Sequence, residues 1–124
     1  MKKILGVSLL VLLFGLSTFS IAQSQVESGS WGVSTATTNY TLNKNEGDRI
    51  MTINVSFDTP FDVKPDVVLS VTMLDASDQT AVRYDVSAMS ISRDGFSIRV
   101  KTWSNTQIKG ISGTWLAHAP ASME

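Results

Sequence analysis

Two side chains of this sequence, Arg83 and Trp103, have a chemistry suited to ligand binding and lie where folding alone does not require them. Trp103 shares the parity of Arg99 and Lys101 in an alternating run, which puts it on the polar face of the predicted strand. An indole face stacks on apolar C–H groups such as those of a sugar ring, and a guanidinium offers five N–H donors. Parity alone favours a Trp103 that covers the rim of the core or a subunit contact, and an Arg83 that is a solvated charge or a surface ion pair.

Groups that could carry catalysis or bind a metal are sparse. With no cysteine and the single histidine His118, the sequence excludes a thiol nucleophile, a disulfide framework and a zinc site built on thiolates or two histidines. A serine nucleophile would need His118 as its base, but no G-x-S-x-G motif is present. No carboxylate pair stands out for glycoside hydrolysis, and Asp58, Asp62 and Asp66 do not match a calcium loop. We therefore predict a non-enzymatic protein without a metal or other cofactor.

The first 22 residues have the features of a secretory signal peptide. Lys2 and Lys3 precede an apolar run from Ile4 to Leu16, and Ser20-Ile21-Ala22 presents small residues to a signal peptidase. The run is shorter than the roughly 20 residues of a membrane span, so we expect cleavage after Ala22 and no membrane insertion of the mature protein. The predicted location is secreted, either extracellular or periplasmic.

The charge balance argues against a nucleic-acid partner. Ten basic and eleven acidic side chains give a net charge of −1, without the basic excess that phosphate contacts require. Removing 22 of the 124 residues leaves 102, and because two lysines are lost with them the net charge becomes −3.

Strand patterns account for most of the mature chain. Alternating or continuous apolar runs bounded by turn residues predict five strands, at 51–57, 67–74, 82–88, 96–103 and 111–117. The second run is almost continuously apolar, which favours a central strand, and Asp94-Gly95 predicts a turn with Gly95 at positive φ. Trp115 has the inward parity of the last run and is assigned to the core. No helical period is present, so we predict an antiparallel β-sandwich over residues 46–120, followed by a short tail, 121–124.

The segment from 23 to 45 lacks a sustained period and is rich in Ser, Thr, Gly and Asn. We interpret it as an N-terminal arm or loop with a short strand near Trp31 to Ser34. Its large side chains, Trp31 and Tyr40, suggest that the arm docks on a neighbouring subunit.

Six short motifs, in order and at compatible spacings, together resemble the H-type lectin domain family, which includes snail agglutinins and the C-terminal domain of slime-mould discoidins. The motifs run from about Met51 to Ala117 and are Phe57-Asp58-Thr59-Pro60-Phe61 with Lys64-Pro65-Asp66-Val67-Val68-Leu69-Ser70-Val71, Leu74-Asp75, Arg83-Tyr84-Asp85-Val86, Gly95-Phe96, Thr102-Trp103-Ser104-Asn105-Thr106 and Trp115-Leu116-Ala117. The resemblance implies a six-stranded antiparallel β-sandwich that assembles as a homotrimer. It also implies glycan partners, with N-acetylgalactosamine or galactose bound in clefts between subunits.

The resemblance also assigns site residues. Arg83 matches the family arginine that hydrogen-bonds the sugar, and Trp103 matches the aromatic residue of the T-W motif. Ser104 stands where some sugar-binding members have histidine, with Asn105 next, and the family's loop acid falls at Glu46 or Asp48. The departure at Ser104 leaves an alternative open, a structural or oligomerisation module of the same fold whose sugar site has decayed.

Overall fold

Six β-strands build the part of the chain that the computed structural model describes, residues 24–77 and 81–120. The strands are β1 (Gln25–Ser34), β2 (Arg49–Ser56), β3 (Asp66–Ala76), β4 (Tyr84–Met89), β5 (Gly95–Thr102) and β6 (Ile108–Ala119). The predicted signal peptide, 1–22, and the C-terminal tail, 121–124, lie outside the described residues.

The strands form two three-stranded antiparallel sheets, in the orders β1-β6-β3 and β2-β5-β4. One core is shared by side chains from both sheets, so the prediction of an all-β antiparallel sandwich is confirmed. Within the two described ranges there is no helix long and apolar enough to cross a membrane.

An aromatic cluster occupies one half of the core. Phe57 packs edge-on against Phe61 with 4.8 Å between ring centroids, and Phe96 packs edge-on against Trp115 at 5.4 Å. Phe57 also contacts Phe96 and Trp115, at 5.7 and 5.9 Å, so that the four rings join both sheets. Edge-to-face pairs of this kind add to the stabilisation that comes from burying the rings themselves. Trp115 thus lies in the core, as its parity predicts.

The segment expected to be an arm is an integral part of the fold, which corrects the prediction. Residues 25–34 form the ten-residue strand β1, paired along its whole length with β6. Trp31 is buried in the core of its own chain, and its Nε1 donates to the Thr114 carbonyl at 3.2 Å. Tyr40 and Leu42 are also buried, and both form hydrogen bonds with Ile108 at the start of β6. These two aromatics therefore dock within the chain and not on a neighbour.

Two further local predictions differ from the structure. β3 is an edge strand, since the central strand of its sheet is β6, and Val68 is 57% exposed on the outer face. Gly95 is not at positive φ; the left-handed residue of the β4–β5 loop is Ser90, at φ 54°. Glycine is required at position 95 because a Cβ there would collide with the Val55 carbonyl.

Candidate functional site

The predicted ligand residues lie beyond one end of the β2-β5-β4 sheet. At that end Thr102 on the central strand β5 pairs with Arg49 on β2 and with Tyr84 on β4. Directly opposite residues in antiparallel strands are close neighbours, so the residues one step further along the three segments lie beyond the same end of the sheet. These residues are Asp48, Trp103 and Arg83. Three residues widely separated in sequence are thereby brought to the same edge of the sheet.

The Arg83 backbone is held by two buried threonines. Its N–H donates to the Thr106 hydroxyl at 3.1 Å, and its carbonyl accepts from the Thr102 hydroxyl at 2.6 Å. Both threonines are fully buried. The Arg83 side chain is half-buried, and no hydrogen bond or ion pair to its guanidinium occurs among the described residues. The fold thus fixes the backbone of Arg83 and leaves the N–H donors of its guanidinium available to a ligand.

Trp103 and Asp48 are linked through Lys101. The Lys101 Nζ lies 3.4 Å from Asp48 Oδ2 and 5.9 Å from the centroid of the Trp103 ring. The Trp103 side chain is half-buried, whereas the Asp48 side chain is 70% exposed. A cation near an indole face is attracted to it only weakly at an exposed site. Lys101 was not predicted as a site residue, although it shares the parity of Trp103.

Of the two acids left open by the sequence, Asp48 is the one that pairs with Lys101, the residue whose ammonium lies near the Trp103 ring. Glu46 is exposed two residues earlier in the same loop, and no hydrogen bond or ion pair joins it to the described candidates. Ser104 and Asn105 are exposed in the turn that follows Trp103. The predicted site residues therefore gather around one edge, with Glu46 at its periphery.

Two irregular segments carry Asp48 and Trp103, the entry loop (residues 42–48) and the exit turn (residues 103–106). Both contain residues at positive φ, Gly47 at 84° and Ser104 at 61°. The Ser104 carbonyl accepts from the Gly47 N–H at 3.0 Å, which joins the two segments. A second link runs from Gln107 Nε2 to the Asn45 carbonyl at 2.8 Å.

A buried arginine forms hydrogen bonds to both segments. Arg49 is 7% exposed, and its guanidinium donates to backbone carbonyls of the entry loop and of the exit turn. Sequence reasoning missed this residue. The signal was present, because Arg49 has the same inward parity as Met51, Ile53 and Val55, where a charged side chain is costly unless it is satisfied.

Tyr40 supports the site from the core side. Its hydroxyl donates to the Ile108 carbonyl at 2.6 Å, and the Ile108 N–H donates to the Leu42 carbonyl at 3.0 Å. Burial, with a smaller contribution from the negative charge of Asp75, raises the pKa of Tyr40 from 10.0 to about 12. The neutral phenol thus anchors the start of β6 and the entry loop to each other.

The edge can offer hydrogen-bond donors, a carboxylate and an aromatic face to a ligand, but the described residues contain no cluster of three or more His, Asp or Glu suited to a metal ion. Guanidinium donors and a carboxylate acceptor complement neighbouring hydroxyls, while the ring complements C–H groups.

Comparison with known proteins gives a family match and similar solved structures. The model of the H-type lectin domain matches residues 52–118. A relative described as "ATP synthase subunits region ORF 7" from Fuscovulum blasticum is 37% identical over 71 residues, covering 57% of this chain and 62% of the relative. The chain therefore spans less than two thirds of that relative's length.

Two structures of discoidin II from Dictyostelium discoideum, recombinant and wild-type, share the fold. Each aligns with a TM-score of 0.71 at 22% identity. The alignments cover 80% and 79% of this chain but only 38% and 37% of discoidin II. At this identity the likeness concerns the fold alone.

Proposed function

Because the chain belongs to the H-type lectin domain family, as its motifs predict, we propose that it binds sugars at the edge formed by Asp48, Arg83 and Trp103. The observation that carries this proposal is the position of these three residues, each directly beyond one of the paired residues Arg49, Thr102 and Tyr84 at the same end of the sheet. The family and the fold support a carbohydrate-binding lectin and are non-catalytic in general.

The mechanism is stacking combined with hydrogen bonds to hydroxyls. The exposed part of the Trp103 ring receives the C–H face of the sugar, the Arg83 guanidinium donates to ring substituents, and Asp48 accepts from a hydroxyl. Each polar contact replaces a contact with water and contributes only about 0.5–1.5 kcal/mol. A single site of this kind binds a monosaccharide weakly.

The sugars proposed are N-acetylgalactosamine and galactose, which are those that the family resemblance implies. An uncharged sugar also suits a site in which Asp48 is already paired with Lys101 at 3.4 Å. Ser104, in place of the histidine of some members, removes one ring from the sugar's surroundings and leaves Trp103 as the aromatic contact.

The proposed assembly is a homotrimer with each site in a cleft between subunits. Val82 and Tyr84, on either side of Arg83, are both 39% exposed in the single chain. A second subunit covering these side chains would give the site its other wall. Three sites on one assembly raise the avidity for a dense glycan surface by about 10²–10⁴.

Secretion is part of the proposal. β1 begins at Gln25, three residues after the expected cleavage site at Ala22, so cleavage there leaves every strand of the sandwich intact. Glycans outside the cytoplasm are then within reach of the mature protein.

A glycan array tests the proposal directly. The mature protein should bind glycans ending in N-acetylgalactosamine or galactose, and Arg83→Met should abolish this binding. Arg99→Met is the matched control, because Arg99 lies on the outer face of the same sheet with a long 4.0 Å ion pair to Asp85. Binding that survives Arg83→Met, or is equally lost in Arg99→Met, would reject the site.

The alternative is a structural or oligomerisation module with a decayed sugar site, which the Ser104 departure favours. It predicts an intact trimer that binds no glycan on the array. Turnover of aryl glycosides tests whether the protein is a glycoside hydrolase. Activity that disappears with one Asp or Glu substitution would overturn the non-catalytic assignment.

A further inference from the structure

Arg49 connects the two irregular segments under the proposed site. Its Nε donates to the Gly47 carbonyl at 3.0 Å, and its Nη1 donates to the carbonyls of Lys44 at 3.1 Å and Leu42 at 3.4 Å. Its Nη2 donates to the Ser104 carbonyl at 2.9 Å. Three bonds therefore hold the entry loop, and the fourth holds the exit turn.

The bonded carbonyls lie next to the proposed ligand residues. Gly47 precedes Asp48, and Ser104 follows Trp103. The Ser104 carbonyl also accepts a hydrogen bond from the Gly47 N–H at 3.0 Å. This oxygen therefore links the exit turn to the entry loop directly, through Gly47, and indirectly, through Arg49. A displacement of either segment changes the distance between the Asp48 carboxylate and the Trp103 ring.

The surroundings of Arg49 indicate that it holds the two segments in position and does not form an ion pair. All four acceptors are backbone carbonyls, and among the described residues no ion pair involves Arg49. Burying a cation without a carboxylate is costly, so its charge must be stabilised by the carbonyl dipoles. A planar guanidinium reaches acceptors in several fixed directions, which the single ammonium of lysine does not.

We propose that Arg49 is a positioning residue for ligand binding, which fixes the Asp48 loop relative to Trp103 without touching the ligand. This inference rests on the proposed function, since it assigns a role within the same site. It goes beyond the family assignment because it identifies a buried residue that bonds to both segments of the site.

The test combines ligand binding with amide hydrogen exchange. Arg49→Met and Arg49→Lys should each weaken binding to arrayed N-acetylgalactosamine- and galactose-terminated glycans about tenfold or more, the equivalent of one misplaced polar contact. In the ligand-free protein, the Gly47 amide should exchange faster in both variants while the amides in the middle of β5 keep their protection. A lysine that restores both readouts would overturn the role assigned to the guanidinium.

A matched control separates positioning from stability. Phe61→Leu removes packing from the aromatic cluster at the opposite end of the sandwich, where Phe61 is 2% exposed, and should lower Tm. At a temperature where all variants are folded, it should leave glycan affinity and Gly47 exchange unchanged. If Phe61→Leu weakens binding as much as Arg49→Met at equal loss of stability, the positioning role is wrong.

Gly47 variants keep the test decisive if the Arg49 variants do not fold. Gly47 has φ 84°, and a Cβ added there would meet no other atom within 4 Å, so a substitution acts through backbone conformation alone. Gly47→Val should disturb the entry loop and weaken binding, whereas Gly47→Asn, which tolerates positive φ, should retain most of it. Equal binding by the two variants would contradict a role for loop position.

Failure of the proposed function is distinguishable from failure of this inference. If the wild-type protein binds no arrayed glycan, sugar binding is wrong, and the inference fails with it as a statement about ligand binding. If the wild type binds and Arg49→Met binds equally well, or leaves the Gly47 amide as protected as before, only the positioning role is overturned.

Discussion

The Tyr40 hydroxyl is buried and donates to the Ile108 carbonyl, so its ionisation should lower the stability of the fold. Below pH 10 the phenol is protonated in both folded and unfolded chains, so its contribution to stability is fully present. Between pH 10 and about 12 the unfolded chain loses the proton while the folded chain retains it, because burial raises the pKa of Tyr40. The free energy of unfolding should therefore fall across this interval.

Tyr40→Phe tests that expectation. The variant should lose about 1 kcal/mol at neutral pH, since the 2.6 Å bond to the Ile108 carbonyl is missing. The difference in unfolding free energy between wild type and variant, measured by denaturant titration, should shrink as pH rises from 10 towards 12. A difference that stays constant with pH would contradict the assigned pKa.

Parity explains which site residues could be predicted from the sequence. Arg83 and Trp103 stand on polar faces of otherwise regular runs, and the structure places both at the same edge of a sheet. Asp48 could not be separated from Glu46, because a loop has no period and only the ion pair with Lys101 distinguishes them. The inward parity of Arg49 marks it as unusual, but the backbone carbonyls that satisfy its guanidinium leave no trace in the side-chain pattern, so its role could not be predicted.

At the scale of the strand, β1 shows why an integral element was mistaken for an arm. The inward positions before Trp31 carry Gln25, Glu27 and Gly29 in place of apolar side chains. Gln25 and Glu27 instead accept hydrogen bonds from backbone N–H groups of Asp62 and Asp58, at 2.8 and 2.6 Å. Because the partners of these polar side chains lie in a loop distant in sequence, β1 lacks the alternation of apolar and polar residues that would indicate a strand.

Gly29 leaves space for the indole ring of Trp115 on the neighbouring strand. It pairs with Trp115 on β6, and a Cβ at position 29 would lie 2.7 Å from Trp115 Nε1. Gly29→Ala should therefore displace the indole and cost about 1–3 kcal/mol of stability, measured by thermal or denaturant unfolding. Ser30→Ala, at an exposed position of the same strand, should change stability by less than about 0.5 kcal/mol. Equal stabilities of the two variants would refute this packing role.

Other elements followed from their patterns. β2, β5 and β6 keep inward apolar residues at every second position over most of their length, and the structure forms them close to the predicted bounds. The position of β3 at an edge could not be predicted, because a continuous apolar run does not tell whether a strand is central. Its exposed Val68 pairs with the equally outward Leu116, 40% exposed, on β6.

At the scale of the whole molecule, the filled core of the small sandwich is the reason that the proposed ligand site lies at an edge. The core is filled by the aromatic cluster and by side chains such as Ile98, Ile108 and Ile111, which are fully buried. The proposed trimer would enclose the open edge and multiply the number of sites.

Sedimentation of the mature protein tests the assembly, and a homotrimer is the expected result. Binding to a densely glycosylated surface should exceed binding to a soluble monosaccharide by about 10²–10⁴, because linked sites raise the effective concentration. A monomer that binds the surface no more tightly than the soluble sugar would contradict multivalency.

The central claim is that a sugar stacks on Trp103, and tryptophan fluorescence measures this most directly. Trp31 and Trp115 are only 5% and 7% exposed, so a ligand at the proposed edge should chiefly perturb Trp103. Titration of the mature protein with N-acetylgalactosamine and galactose should give a saturable change in emission that is absent in Trp103→Phe, while glucose and N-acetylglucosamine serve as controls. No saturable change with any of the four sugars, or a change that persists in Trp103→Phe, would contradict the account.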